Sequence, residues 1–192
     1  MTRNSSWVST KMFIHCSRKC AIMAETRCGH TNMYHYFSIE QYSETGFTHD
    51  NWKEHHNPIV VLRNPLDRVV SSLPEGLLKA MPFTWQWSSD LIHELNDAFV
   101  SHTTPYMRNT LLGYNFRIID FYDLEQYIPR MWEKHQSIRT DSRVEDHTVA
   151  EDVFIKNDTY TLRDLQEEVE IYNEIMTTYE RVSVEEWKNL TR

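Results

Sequence analysis

The chain has 192 residues, 40% hydrophobic and 12% aromatic, which is enough to bury a core and too apolar for a disordered tail. No apolar run approaches the roughly 18–20 residues of a membrane span, so a membrane partner is not expected. A net charge of −8 argues against general nucleic-acid affinity.

The charge is unevenly spread. Residues 1–119 carry 11 Lys/Arg and 10 Asp/Glu, whereas residues 120–192 carry 9 and 18. An anion site is therefore expected in the first part of the chain. A single domain over residues 1–192 is expected, with a core over about 11–132 and an acidic, mostly helical part over 133–192. The N-terminus, "MTRNSSWVSTKMFIHC", lacks the apolar centre of a secretory signal, which implies a cytoplasmic protein. Cys16, Cys20 and Cys28 are an odd number crowded near the start and do not form a disulfide framework.

In chain order, "KMFIHC" (11–16) and "CAIMAE" (20–25) read as short strands. "TRCGHTNM" (26–33) is a loop turning into a helix over 31–43, with Met33, Tyr36 and Phe37 on one face. A polar connection (44–57) precedes an apolar strand at 58–62 and a helix from Pro65. "SSDLIHELNDAFVSH" (88–102) reads as helix, "YNFRIIDF" (114–121) as a buried strand, and "DLEQYIPRMWEKHQ" as a helix interrupted at Pro129. "DVFIK" (152–156) reads as a last strand. A final helix starts at Thr161, where Asp164 makes a capping box; its core face is Leu162, Leu165, Val169, Tyr172, Met176 and Tyr179. Strands alternating with helices predict an α/β fold, a mainly parallel sheet flanked by helices.

In such sheets ligands sit beyond the carboxyl ends of the strands. Two strand-to-helix corners are equipped for an anion. At the first, Gly29 permits close backbone approach, Thr31 opens a helix, and Arg27 adds a charged fork. A tight turn with an exposed arginine would use the same residues. At the second, Arg63 ends a strand, Asn64 and Pro65 suit the cap and first position of a helix, and Arg68 and Ser71 share a helix face. Alternatively, Arg68 could pair with Asp67 or Glu75 in solvent, with Ser71 as filler.

"LRNPLDRVVSSL" resembles the 3′-phosphate-binding motif of sulfotransferases that use 3′-phosphoadenosine 5′-phosphosulfate (PAPS), through Arg63, Asn64, Pro65, Arg68 and Ser71. Arg68 is the carbohydrate-type version. "TRCGHTNM" is similar to a divergent form of the family's phosphosulfate loop: Gly29 and Thr31 match, Arg27 stands where the family has Lys, and His30 where it has Thr. A second alignment places "HCSRKCA" (15–21) on that loop, restoring Lys19 but losing the Gly-Thr pair. "FRIIDFYDLEQYI" and "SHTTPYM" are weaker echoes, and the resemblance spans about residues 11–132.

The resemblance implies a P-loop nucleotide-hydrolase-like architecture, PAPS as donor and no metal. The reaction would pass a sulfuryl group to a hydroxyl or amine of a small-molecule or glycan acceptor. Arg27, Cys28, Gly29, His30, Thr31 and Asn32 would hold the phosphosulfate end, with Arg27 assisting the leaving group. Arg63, Arg68 and Ser71 would hold the 3′-phosphate. A base must take the acceptor proton, and histidine suits neutral pH. His49 leads, followed by His56. His55, His102 and the carboxylate Glu25 are the alternatives.

A descendant that binds a phosphonucleotide without transfer is the second reading, favoured by Arg27 in place of Lys. A nucleotide kinase is the third, disfavoured because the G-x-x-x-x-G-K-[ST] loop is absent. The spacing of Cys16, Cys20, Cys28 and His30 is unlike common zinc modules. Trp85 and Trp87 read as core or rim positions rather than a sugar platform.

Overall fold

The computed structural model describes residues 13–25, 28–37, 52–72, 106–128 and 161–191. The elements expected at 88–102 and 152–156 lie outside the described residues, as do Arg27, His49, Trp85, Trp87 and His102.

Phe13–Cys16 (β1) and Ala21–Ala24 (β2) form an antiparallel pair in which Phe13 faces Ala24 and Cys16 faces Ala21. A connection as short as Ser17–Cys20 permits only the antiparallel arrangement, because a parallel return needs a crossover. The Ser17 hydroxyl organises this turn by accepting from the N–H groups of Lys19 and Cys20, each at 3.2 Å. Helix α1 (His30–Phe37) follows β2, after which Pro58–Leu62 (β3) pairs with β2 in parallel. Arg117–Asp120 (β4) adds to β3, also in parallel, so the sheet order is β1-β2-β3-β4. The α/β character and mainly parallel sheet expected from the sequence are therefore present.

One more pairing extends the sheet. The Ile118 N–H donates to the Glu180 carbonyl at 2.9 Å, and the Val182 N–H donates to the Ile118 carbonyl at 3.0 Å. This parallel bridge at Arg181 covers the outer side of β4. It follows the long helix α5 (Leu162–Thr178) and precedes α6 (Val184–Leu190).

Side chains alternate across the strands and build two cores. Ile14, Met23, Val60, Leu62 and Ile118 face one way, under Trp52, Met107, Leu111, Tyr172 and Ile175. This layer comes from α5 and from the short helix α3 (Met107–Thr110). Phe13, Ile22, Ala24, Ile59, Val61 and Ile119 face the other way, under Met33, Phe37, Leu124, Ile128 and Trp187. This second layer is α1, α6 and the one-turn helix α4 (Leu124–Tyr127). Strand β3 is apolar throughout because both of its faces are covered. Among the described residues, no helix is long and apolar enough to cross a membrane.

The capping box is present: the Asp164 carboxylate accepts from the Thr161 N–H at 2.7 Å, while Thr161 Oγ1 accepts from the Asp164 N–H at 3.3 Å. The buried face of α5 is rotated from the expected one. It consists of Leu165, Glu168, Ile171, Tyr172 and Ile175, with Leu162, Val169, Met176 and Tyr179 half-buried beside it. Glu168 is drawn inside because it has backbone donors to satisfy there.

Candidate functional site

Because β2, β3 and β4 run in parallel, their carboxyl ends share one edge of the sheet. Of the residues that follow them, Arg63 and Phe121 are level in register, while Glu25 is level with Leu62 and Asp120, one residue short of that pair. Glu25 is fully buried, and Arg63 is 3% exposed, with its guanidinium 4.4 Å from the centre of the Phe121 ring. That stack is a cation–π contact in a desolvated place. Burial lowers the Arg63 pKa from its ordinary value, while Asp67 opposes the shift.

Helix α2 (Pro65–Ser72) begins as expected. Asn64 Oδ1 accepts from the Leu66 N–H at 2.9 Å, and the Asn64 carbonyl takes the first helical bond, from the Arg68 N–H. Asp67 lies in the first turn of α2, where a carboxylate suits the helix dipole, and accepts from the Tyr122 hydroxyl. Arg68 does not stand in solvent with an exposed partner. It is 2% exposed, with its guanidinium 4.9 Å from the centre of the Tyr106 ring. Ser71 is buried, and its Oγ donates to the Arg68 carbonyl at 2.8 Å.

The glycine turn lies at the same edge. Cys28 N–H donates to the Glu25 carbonyl at 2.9 Å, and Gly29 carries φ +88°, a left-handed conformation that favours glycine. A Cβ at Gly29 would come within 2.5 Å of Leu124 Cδ2 and 3.6 Å of Phe121. The glycine thus lets the turn close onto the residues after β4, so its missing side chain makes room for packing. His30, Thr31 and Asn32 form the first turn of α1. Cys28 is buried, and burial pushes its thiol pKa up; the positive charge of Arg68 and Arg63 opposes that shift.

Tyr106 and Glu168 were not expected at this corner. The Tyr106 hydroxyl is buried beside the Cys28 thiol. Burial pushes its pKa well above 10, so it remains a protonated donor. Glu168 reaches across from α5: its Oε1 accepts from the N–H groups of Tyr106 at 2.8 Å and Met107 at 2.9 Å. That capping of α3 holds the Tyr106 ring under Arg68. Burial raises the Glu168 pKa, and those backbone bonds together with Arg68 oppose the shift.

Of the expected site residues, the fold gathers Cys28, Gly29, Arg63 and Arg68, with the start of α1, at one edge, while Ser71 lies in the last turn of α2 against the Arg68 carbonyl. His56 is not brought there. It precedes β3 while Arg63 follows it, so a five-residue strand, about 15 Å, separates them. His56 is exposed and packs against the ring of His55, 4.2 Å between centroids. His55 is buried at the amino end of the sheet and bound on both nitrogens, a structural arrangement rather than a basic one at the corner.

The cysteines are likewise divided. Cys20 precedes β2 and Cys28 follows it, while Cys16 and Cys20 belong to cores on opposite faces of the sheet. Among the described residues no group of three or more His, Cys, Asp or Glu could hold a metal ion.

The arrangement is a desolvated corner with two guanidinium groups, the buried Tyr106 phenol, and the carboxylates Glu25, Asp67 and Glu168. No family model, curated protein or solved structure matches the chain.

Proposed function

We propose that this corner binds a phosphonucleotide carrying a 3′-phosphate and that the protein is a PAPS-dependent sulfotransferase. The observation that carries the reading is the convergence of the glycine turn after β2 with Arg63 and Arg68 after β3, at one edge of a parallel sheet. Arg63 and Arg68 supply the fixed charge for phosphate oxygens, and the protonated Tyr106 hydroxyl supplies a further donor. Ser71 would join once its hydroxyl rotates away from the Arg68 carbonyl. The turn of Cys28 and Gly29 and the first residues of α1, with Arg27, would hold the phosphosulfate end.

In the transfer, the acceptor oxygen attacks sulfur, the bond from sulfur to the bridging phosphate oxygen breaks, and a 3′,5′-bisphosphate leaves. The acceptor's proton needs a base. Glu25, at the end of β2 and beside the turn, is the carboxylate at the right edge, and His49 remains a candidate. Catalysis would rest mainly on positioning and on charge stabilisation of the leaving phosphate. The acceptor would be a small molecule or glycan, the latter favoured by Arg68 in the motif.

A second reading, binding without transfer, is favoured by the burial of both arginines against the rings of Phe121 and Tyr106. A thermal-shift series with adenosine nucleotides tests the binding. Stabilisation by 3′-phosphoadenosine 5′-phosphate, and little by adenosine 5′-phosphate or ATP, is expected; equal responses would overturn it. Turnover of labelled PAPS with a panel of sugar and alcohol acceptors separates transfer from binding alone.

A further inference from the structure

The amino end of the sheet carries a second polar cluster, built round one buried histidine, about one strand length from the corner. Its centre is His55. Nε2 lies 3.0 Å from the Ser17 carbonyl, which can only accept, so this nitrogen carries the proton. Nδ1 accepts from the Asn57 N–H at 3.1 Å. Both ring nitrogens are used, and one of them as an acceptor, which is possible only for neutral imidazole.

Asn57 in turn ties several elements together. Its carbonyl accepts from the Ala21 N–H at 3.1 Å, and its Nδ2 donates to the Lys19 carbonyl at 2.9 Å. Its Oδ1 accepts from Arg117 Nη2 at 2.7 Å, and Arg117 also pairs with Glu186 of α6. One residue thus joins the β1–β2 turn, the start of β3, β4 and α6.

We propose that His55 is an acid-sensitive latch: its protonation breaks the bond to the Asn57 N–H and loosens the junction at the amino end of the sheet. A proton on Nδ1 would face the Asn57 N–H, donor against donor. Among the described residues, the charged groups around the ring do not compensate. His56, stacked on the ring, disfavours a second positive charge. Lys19 and Arg18 sit on the facing turn, and Arg117 is one hydrogen bond away through Asn57. Lys53, on the preceding turn, is directed onto the Tyr114 ring. Among the described residues, the acidic groups are Glu54, which is exposed, and Glu186, already paired with Arg117.

Burial first, and His56 second, lower the His55 pKa below 6.5. An opened junction titrates near 6.5, so closure is complete above that value and weakens as pH falls through it. If only the open form is protonated, opening rises roughly tenfold between pH 7.5 and pH 5.5.

Amide hydrogen exchange of the full chain, corrected for intrinsic rates, reads this opening at Ala21 and Asn57. The rise is expected in the wild type and absent in His55→Gln, which keeps a donor and an acceptor but does not titrate. A pH-insensitive wild type, or the same rise in His55→Gln, would overturn the proposal. Nitrogen NMR of the His55 ring gives a reading independent of any variant. An unprotonated Nδ1 at pH 7.5 that gains its proton together with the amide change supports the latch, and a protonated Nδ1 at pH 7.5 refutes it.

Discussion

Replacing Glu168 by Ala should destabilise the fold by about 2–6 kcal/mol. The residue is 3% exposed, and its carboxylate is the acceptor for the N–H groups of both Tyr106 and Met107. Truncation leaves two buried donors at the start of α3, each costing about 1–3 kcal/mol when unpaired. The lower end of the range applies if water enters the vacated space and satisfies one of them. Glu168→Gln keeps a carbonyl acceptor and removes the buried charge, so it should lose roughly half as much. Urea denaturation followed by fluorescence of the buried Trp52 and Trp187 measures this as a lower midpoint at constant slope. An Ala variant within about 0.5 kcal/mol of wild type, or a Gln variant worse than Ala, would refute the assignment of Glu168 as the cap of α3.

Gly29→Ala should cost about 2–4 kcal/mol, from the left-handed backbone and from repacking of Leu124, measured by the same denaturation. A neutral effect would mean that the turn is free to rearrange. His15 is buried against Phe37, and its pKa is lowered from 6.5 to about 4. The folded form therefore prefers neutral imidazole. This stability is full above pH 6.5 and declines as pH falls toward 4, by up to about 3 kcal/mol. Stability measured across that window should flatten in His15→Gln; an unchanged slope would contradict the assignment.

The backbone scaffold of the corner was legible because it is written in local chemistry. Four consecutive apolar residues from Ile59 mark a strand covered on both faces, and Asn64-Pro65 marks the helix start; both elements are where expected. The Thr161 and Asp164 capping box needs only three residues of separation to be read. The hairpin of β1 and β2 was implicit in the four-residue connection, although the rest of the sheet is parallel.

What was not legible depends on distant partners. Glu168 breaks the apolar stripe of α5, and only the orphan donors some 60 residues earlier explain its burial. Tyr106 reads as one more aromatic until Arg68 is seen above it. His56 was chosen as a histidine in the connection ahead of the Arg63 strand, where the resembled family commonly keeps a catalytic histidine or carboxylate, but strand direction carries it away from Arg63. Gly29 shows the same limit. Its need for glycine could be read from the turn, whereas the use of the space by Leu124 required the packing.

The most direct test of the central claim is calorimetric titration with 3′-phosphoadenosine 5′-phosphate and adenosine 5′-phosphate, on wild type and on a folded Arg63→Ala variant. Wild type should prefer the 3′-phosphorylated ligand by about 2–4 kcal/mol, roughly 30- to 800-fold, and the variant should lose that preference. Equal affinity of wild type for both ligands, or a preference that survives loss of Arg63, would contradict it.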